Sequence, residues 1–517
     1  MRKIRTCSTA LGLGLFIFSI PMGPAPAYAA ESRSIERLIE AAEPFEGQEL
    51  LSRQRRERVE EGKEVFRRYC VHCHGSRGKG DGRASPYLFP LPRDLTLGIF
   101  KFRSTKTNTL PLDRDLARTI QRGVPGTAMP AWKDILPEES LGPLIAYIKT
   151  FSGRFQMETP NIAIDAGLEP PMNSLAIDAG KSIYRELRCW RCHGREGERE
   201  GPLGQNLKDS WGNPSAVYDL AQPSLYKGGA SSRDIYRTLA SGMDGTPMNA
   251  YDYLSEDEIW HLVHYLQSRF VRPGPAGDPS SGSNLLTSYR VEGKIEPSPD
   301  NPLWRKIPFT RIPLLPLKSG PAPLTSLRAQ SIHNGQTLAF RLQWADPTPD
   351  GASAGARFFL DAVALQFAPQ KSPVKGAPFF GMGERNRPVQ IWHWRADATQ
   401  TITGPARTSL SPSEEDKNLA ARSLDRFRES PVEEIDARGF GTLLVQPLED
   451  QQVTGQGTWK DGNWIVVLVR DLKSPGPRDI QFQPREPVLV AAALWDGARK
   501  DKNAKKKVSL WQVLKLQ

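Results

Sequence analysis

Cysteine is scarce in this chain. There are five among 517 residues, and Cys7 falls in the N-terminal apolar segment. The other four form two close pairs, which leaves no thiols for a conventional disulfide framework or for an iron–sulfur cluster, each cluster consuming about four ligands of its own. Long hydrophobic runs are equally rare: beyond Leu11–Ile20 nothing approaches the ~20 apolar residues that a bilayer span requires. A Gly-rich nucleotide fingerprint is missing, as is any nucleic-acid recognition motif. Charge of one sign is not dominant either: Lys+Arg 69 against Asp+Glu 58 gives +11, falling to +8 once Arg2, Lys3 and Arg5 are set aside. Such a mild excess favours acidic partners and says nothing for nucleic acid. With 38% hydrophobic residues, 44 Gly and 44 Pro, the chain is neither fibrous nor wholly disordered, and its length calls for several domains.

What is present begins with a secretory leader. Arg2 to Arg5 supplies the basic start, Leu11 to Ile20 the short apolar core and Ala27-Tyr28-Ala29 a small-residue cleavage site, so residues 1–29 read as a removable signal peptide and the destination as a periplasm. An uncleaved anchor is the weaker reading, because the apolar run has about half the required length. The mature chain is expected to have no transmembrane span.

A tandem duplication follows. Cys70 to Cys189, Met129 to Met248 and Phe151 to Phe270 are all 119 residues apart. In each copy a helical pattern precedes the cysteines (Val59–Phe66, Ala179–Tyr184) and another closes the unit (Ser140–Ile148, Glu256–Leu266). Residues 30–157 and 158–272 are therefore expected to be two all-α domains.

The paired cysteines carry the chemistry. Cys70-Val71-His72-Cys73-His74 and Cys189-Trp190-Arg191-Cys192-His193 place two thiols on one face of a helical turn, where both can add to the vinyl groups of one porphyrin, and the next residue supplies a proximal imidazole. A zinc ribbon would need a second thiol pair nearby, and a thioredoxin-like pair has no use for His in both copies. Two covalent haem c groups are expected. A distal ligand should lie downstream, and the repeat-matched segments Gly126–Trp132 and Gly245–Tyr251 each offer a thioether, Met129 and Met248. Met243 competes with Met248 but lacks the common offset. His72 reads as a solvated spacer, and His261 and His264 as packing or surface residues.

After Phe270 a Pro/Gly/Ser-rich stretch suggests a linker over 273–300. Residues 301–517 then show short apolar runs bounded by turns (Thr337–Trp344, Ala362–Phe367, Trp464–Val469, Val488–Leu494), as expected for a mainly β sandwich. Gly404–Glu434 reads as a polar loop or short helices, and the lysines between Lys500 and Lys507 as a solvated end.

Each α-domain resembles a class I cytochrome c over residues 55–151 and 175–270, and the resemblance implies His74/Met129 and His193/Met248 ligation. In the last third, Arg341–Asp350, Asp361–Phe367, Phe380-Gly381-Met382-Gly383, Val389–Asp397 and Ala493–Gly497 resemble the haem b gamma subunit of ethylbenzene dehydrogenase and related periplasmic molybdenum enzymes. That likeness implies one non-covalent haem b, with Met382 as one axial ligand and Lys460 as the other, His393 being the chemical rival. It also implies a molybdenum catalytic subunit and an iron–sulfur subunit as partners, with a soluble or membrane redox carrier beyond them. The expectation is a tri-haem electron-transfer subunit with no catalytic residues of its own. Two alternatives stand: a di-haem shuttle whose sandwich binds a ligand or partner without haem, and a di-haem peroxidase, which Met on both irons disfavours by filling the open coordination position.

Overall fold

The computed structural model describes residues 46–199, 201–271, 284–318, 325–351, 359–369, 377–396, 401–402 and 431–517. The leader, the start of the linker and most of Gly404–Glu434 lie outside the described residues. The chain divides after Glu57. Of the first part only the opening turns of helix α1 (Glu46–Tyr69) are described, with Arg53 and Glu57 paired at 2.9 Å on an exposed face.

Arg58–Gln517 forms one unit. Its first copy holds the rest of α1, the single-turn α2 (Val71–His74), α3 (Asp113–Arg122), α4 (Glu138–Lys149) and the short α5 (Arg154–Met157). The second repeats the pattern with α6 (Ser174–Glu186), α7 (Trp190–His193), α8 (Ser232–Ser241) and α9 (Glu256–Ser268). In each copy the first helix crosses the long closing helix, α4 or α9, at backbone contact: a Cβ on Gly62 would lie 1.9 Å from the Pro143 carbonyl oxygen, and one on Gly180 2.0 Å from that of His261. Only glycine permits this approach, and it brings Phe66, Leu144 and Ile148 into one core and Tyr184, Leu262 and Leu266 into the other.

The duplication extends to the hydrogen bonds. Val124 N–H donates to the Met129 carbonyl at 2.9 Å and Met243 N–H to that of Met248 at 3.0 Å, while Thr127 and Thr246 hydroxyls accept from Met129 and Met248 N–H, both at 3.2 Å. Met243 is thus the counterpart of Val124, a loop residue, and Met248 the counterpart of Met129. Asp115 and Asp234 are likewise matched, each buried in the first turn of its helix.

Fourteen strands follow among the described residues: β1 (Leu285–Arg290), β2 (Thr310–Pro316), β3 (Thr325–His333), β4 (Thr337–Ala345), β5 (Ala362–Pro369), β6 (Val389–Arg395), β7 (Thr401–Ile402), β8 (Val432–Ala437), β9 (Leu444–Val445), β10 (Thr454–Lys460), β11 (Asn463–Asp471), β12 (Val488–Trp495), β13 (Lys507–Val508) and β14 (Gln512–Leu516). The order β7-β10-β11-β4-β3-β1-β14-β12-β5-β6-β8-β9 doubles over, so that Phe340, Leu342 and Trp344 of β4 share one core with Phe367 of β5 and Trp392 and Trp394 of β6. Two sequence expectations are corrected. β1 lies inside the stretch expected to be linker, paired in parallel with β14 and β3. The lysine-rich end is not solvated: Lys506 and Lys507 are buried, and the chain returns to the middle of the sheet as β14.

The domains are fastened at two places. Between the copies, the guanidinium of Arg103, fully buried, pairs with Asp244 at 2.8 Å and donates to the Ser241, Phe100 and Lys106 carbonyls at 2.6, 3.2 and 3.0 Å. Between the first copy and the sandwich, His72 stacks on Phe379 with ring centroids 4.4 Å apart, Tyr87 stacks on Phe440 at 5.0 Å, and Phe89 N–H donates to the Leu317 carbonyl at 2.9 Å.

Candidate redox sites

The first site grows out of the α2 turn. His74 N–H donates to the Cys70 carbonyl at 2.9 Å and Cys73 N–H to the same oxygen at 3.2 Å, setting both sulfurs and the imidazole on one wall of a cavity. Met129 lines the same cavity, which is mostly apolar, with Phe66, Leu116, Ile120 and Trp132. The Arg93 carbonyl oxygen lies 3.0 Å from His74 Nδ1; a carbonyl only accepts, so the proton sits on Nδ1 and Nε2 is left as a ligand. Burial lowers the His74 pKa, favouring the neutral ring that a metal needs. Burial also pushes the Cys70 and Cys73 thiols up to about 12, as expected of thiols in an apolar wall. Trp132 Nε1 is buried in the cavity wall without a hydrogen-bond partner. An apolar slot, two thiols, neutral His, a thioether and an orphan donor together fit a covalently held haem with a carboxylate side arm.

The second site has the same parts. Cys192 N–H and His193 N–H donate to the Cys189 carbonyl at 3.2 and 3.0 Å, and Met248 shares the cavity with Tyr184, Leu239, Tyr251 and Leu262. Burial lowers the His193 pKa to about 4, and burial raises that of Cys189 to about 11. His193 Nδ1 faces the Tyr218 backbone outside strict hydrogen-bond geometry. Of the competing histidines, His264 is buried in the domain core beside Trp260 rather than in the cavity wall, and His261 is partly exposed on the same helix.

In the sandwich the structure keeps one expected residue and replaces another. Met382 is buried and has a left-handed backbone, φ +73°, which an unbranched non-glycine residue adopts only at a cost; such strain clusters at functional sites. It is held by Gly439 N–H donating to its carbonyl at 2.8 Å and Gly383 N–H bonding the Phe379 carbonyl at 2.9 Å. The facing residue is Lys506, with Nζ 3.9 Å from Met382 Sδ and 4.7 Å from the Trp495 ring centre. Burial alone lowers the Lys506 pKa to about 8. Lys460, by contrast, is exposed at the end of β10, at the hairpin into β11. The lysine that lies beside Met382 is therefore Lys506 and not Lys460. His393 alternates with the core residues Trp392 and Trp394, which puts it on the same face as Val389 and Ile391 beside Met382; its ring meets Trp495 at 5.1 Å, the indole that Lys506 also approaches. A thioether set among Ala364, Val389, Ile391 and Leu489, with a buried lysine beside it that has no acid partner among the described residues, fits a non-covalent haem by the chemistry of the donor set.

Sequence reasoning missed Lys506, His72, Phe379, Lys101 and Lys227. His72 is no spacer: besides stacking on Phe379 it approaches Glu384 at 3.7 Å. Phe379 and Phe380 reach the wall of the first cavity, whereas Lys101 and Lys227 line both the first and the second. Among the described residues no helix is long and apolar enough to cross a membrane.

Comparison with known proteins matches the domains one by one. The ethylbenzene dehydrogenase family model covers residues 301–431 and 439–507, cytochrome c covers 177–269, and subunit III of cbb3-type cytochrome c oxidase covers 57–148. ORF7 of Haloferax mediterranei, named as a respiratory nitrate reductase heme subunit, is 28% identical over 244 residues, 46% of this chain and 75% of that protein. The chlorate reductase gamma subunit of Ideonella dechloratans is 29% identical over 237 residues, 44% of this chain and 84% of its own length. The dimethylsulfide dehydrogenase gamma subunit of Rhodovulum sulfidophilum is 28% identical over 230 residues, 41% of this chain and 72% of its own length. Residues 301–507 thus match the ethylbenzene dehydrogenase family, behind two stretches that match cytochrome c families.

Proposed function

We propose that this chain is a secreted, periplasmic tri-haem electron-transfer subunit linking a molybdenum catalytic subunit and its iron–sulfur subunit to a soluble or membrane redox carrier. Bound haem supplies one-electron redox chemistry at each site. The residues that would hold it are Cys70, Cys73, His74 and Met129, then Cys189, Cys192, His193 and Met248, and in the sandwich Met382 and Lys506. The thioethers favour the reduced metal and raise the potential, and the apolar walls keep water from the iron. The chain is an electron-transfer subunit and not a catalytic one. Its gamma-subunit relatives name chlorate reductase and dimethylsulfide dehydrogenase, and it is by that likeness that a molybdenum partner is proposed here.

The observation that carries the proposal is the wall of the first c cavity, to which all three domains contribute: Phe379 and Phe380 from the sandwich, Lys227 from the second copy, and the attachment turn itself. The second cavity has no sandwich residue in its wall. The sites thus follow one another in the order sandwich, first copy, second copy, the arrangement an electron relay needs and a separate ligand-binding module does not.

A pyridine haemochrome spectrum before and after acid–acetone extraction tests the reading. Two c-type haems retained by the polypeptide and one b-type haem extracted are expected. A folded, haem-supplied preparation with c-type haem alone would turn the sandwich into a docking module and remove the molybdenum assignment.

A further inference from the structure

Two cations at the junction of the cytochrome c domains have no ion-pair partner among the described residues. Lys101, in the first copy, and Lys227, in the second, each line both c cavities and the polar cleft between the domains. Each therefore reaches into the cavity of the other copy. Neither has an ion-pair or hydrogen-bond partner among the described residues; Lys227 Nζ rests 3.7 Å from the Tyr218 ring centre. Asp209, whose charge Lys101 feels, has its carboxylate committed to the N–H groups of Trp211 at 3.0 Å and Asn213 at 2.9 Å. Burial first, then Lys101, holds Lys227 down to about 7; burial first, then Arg93, holds Lys101 down to about 8 against the pull of Asp209. Like charges set side by side and desolvated are unfavourable unless an anion joins them.

We propose that Lys101 and Lys227 form one shared cationic seat for the carboxylate side arms of both covalent haems, so that the two c sites hold their counter-charges in common. This rests on the haem c reading above. Each porphyrin carries two propionates, which are the anions that the apolar cavities otherwise lack, and the unpartnered Trp132 Nε1 in the first cavity wall is a neutral donor suited to the same group. A cation beside a propionate offsets its negative charge and so favours the ferrous state. With the cations shared, their removal is felt at both irons.

Spectroelectrochemical titration of the holoprotein tests this with Lys227→Met and Lys101→Met. In either variant both c-type Nernst components are expected to move to lower potential, each by roughly a tenfold change in its redox equilibrium constant, which is about 59 mV for one electron. Lys227→Arg keeps the charge and should restore both. Lys149→Met, on the outer face of α4 where Lys149 pairs with Asp113 at 2.8 Å, should move neither. A shift confined to one haem, or no shift in either, overturns the shared seat. A preparation with fewer than two c-type haems by haemochrome would instead defeat the underlying reading, so the two failures are told apart.

Discussion

Removal of the Arg103 guanidinium is the sharpest test of how the two cytochrome domains are held. Its side chain has no exposed surface, that of Asp244 is 7% exposed, and their charged atoms are 2.8 Å apart. Arg103→Met keeps the apolar stem and deletes the charge. Asp244 is then left buried with only the Thr107 hydroxyl and the Asn108 N–H, both at 2.9 Å, and the Ser241, Phe100 and Lys106 carbonyls lose a donor. Breaking a buried pair from one side costs about 3–5 kcal/mol, because the abandoned charge stays desolvated. For about 200 residues of paired domain this is a fall of roughly 10 °C in Tm, taking about 2–4 °C per kcal/mol. The assay is thermal unfolding of the holoprotein followed by Soret circular dichroism, which reports the c domains and not the sandwich tryptophans. The double variant Arg103→Met with Asp244→Asn removes the stranded charge and should be less destabilised than the sum of the singles by about 2 kcal/mol. A single-variant loss below about 1 kcal/mol, or strict additivity in the double, would refute the view that this ion pair locks the interface.

In the sandwich, Met382→Leu and Lys506→Met should each abolish b-type absorbance while c-type bands persist, and Lys460→Met should change neither. Lys506→Met should also raise the stability of the haem-free domain, because it removes a buried ammonium that has no acid partner. The acidic corner of the same domain gives a pH dependence. Burial, and then the charge of Asp346, raises the Asp361 pKa to about 8, and burial raises that of Asp346 to about 6, both from an ordinary 3.8. The folded state then binds more protons than the unfolded one above pH ~4, so stability is full below that and falls as pH rises toward 8. Tryptophan-monitored unfolding should show a lower midpoint at pH 8 than at pH 5, with Asp346→Asn flattening the slope; a midpoint that rises with pH contradicts the assignment.

The two attachment turns were legible in the sequence because the chemistry fixes their spacing, and Met129 and Met248 because duplication repeats it. The strands β4, β5, β11 and β12 announced themselves as apolar runs between turns. Lys506 was hidden by its neighbours: in the run Lys505-Lys506-Lys507 nothing in the sequence distinguishes the two side chains that packing buries from the one that water reaches, or the one that lies beside Met382. Lys460 was attractive because Trp459 and Gly462 flank it, yet a hairpin end gives no burial. β1 was lost within a stretch of turn residues because it is stabilised by partners more than 40 residues away, at Ser331 and beyond, rather than by its own pattern. Lys101, Lys227 and His72 sit in loops or in variable motif positions, where contact across domains and not local sequence assigns the role.

The stacking of His72 on Phe379 makes the attachment turn itself part of a domain contact. His72 lies between the two attachment cysteines, and Cys73 packs in one cluster with Phe379, Phe380 and Leu317 of the sandwich. Phe379 and Phe380 also complete the wall of the first cavity, whereas among the described residues no part of the sandwich reaches the second. The two cytochrome sites, alike in their own parts, therefore differ in what surrounds them: a change in the sandwich acts directly on the first and reaches the second only through it.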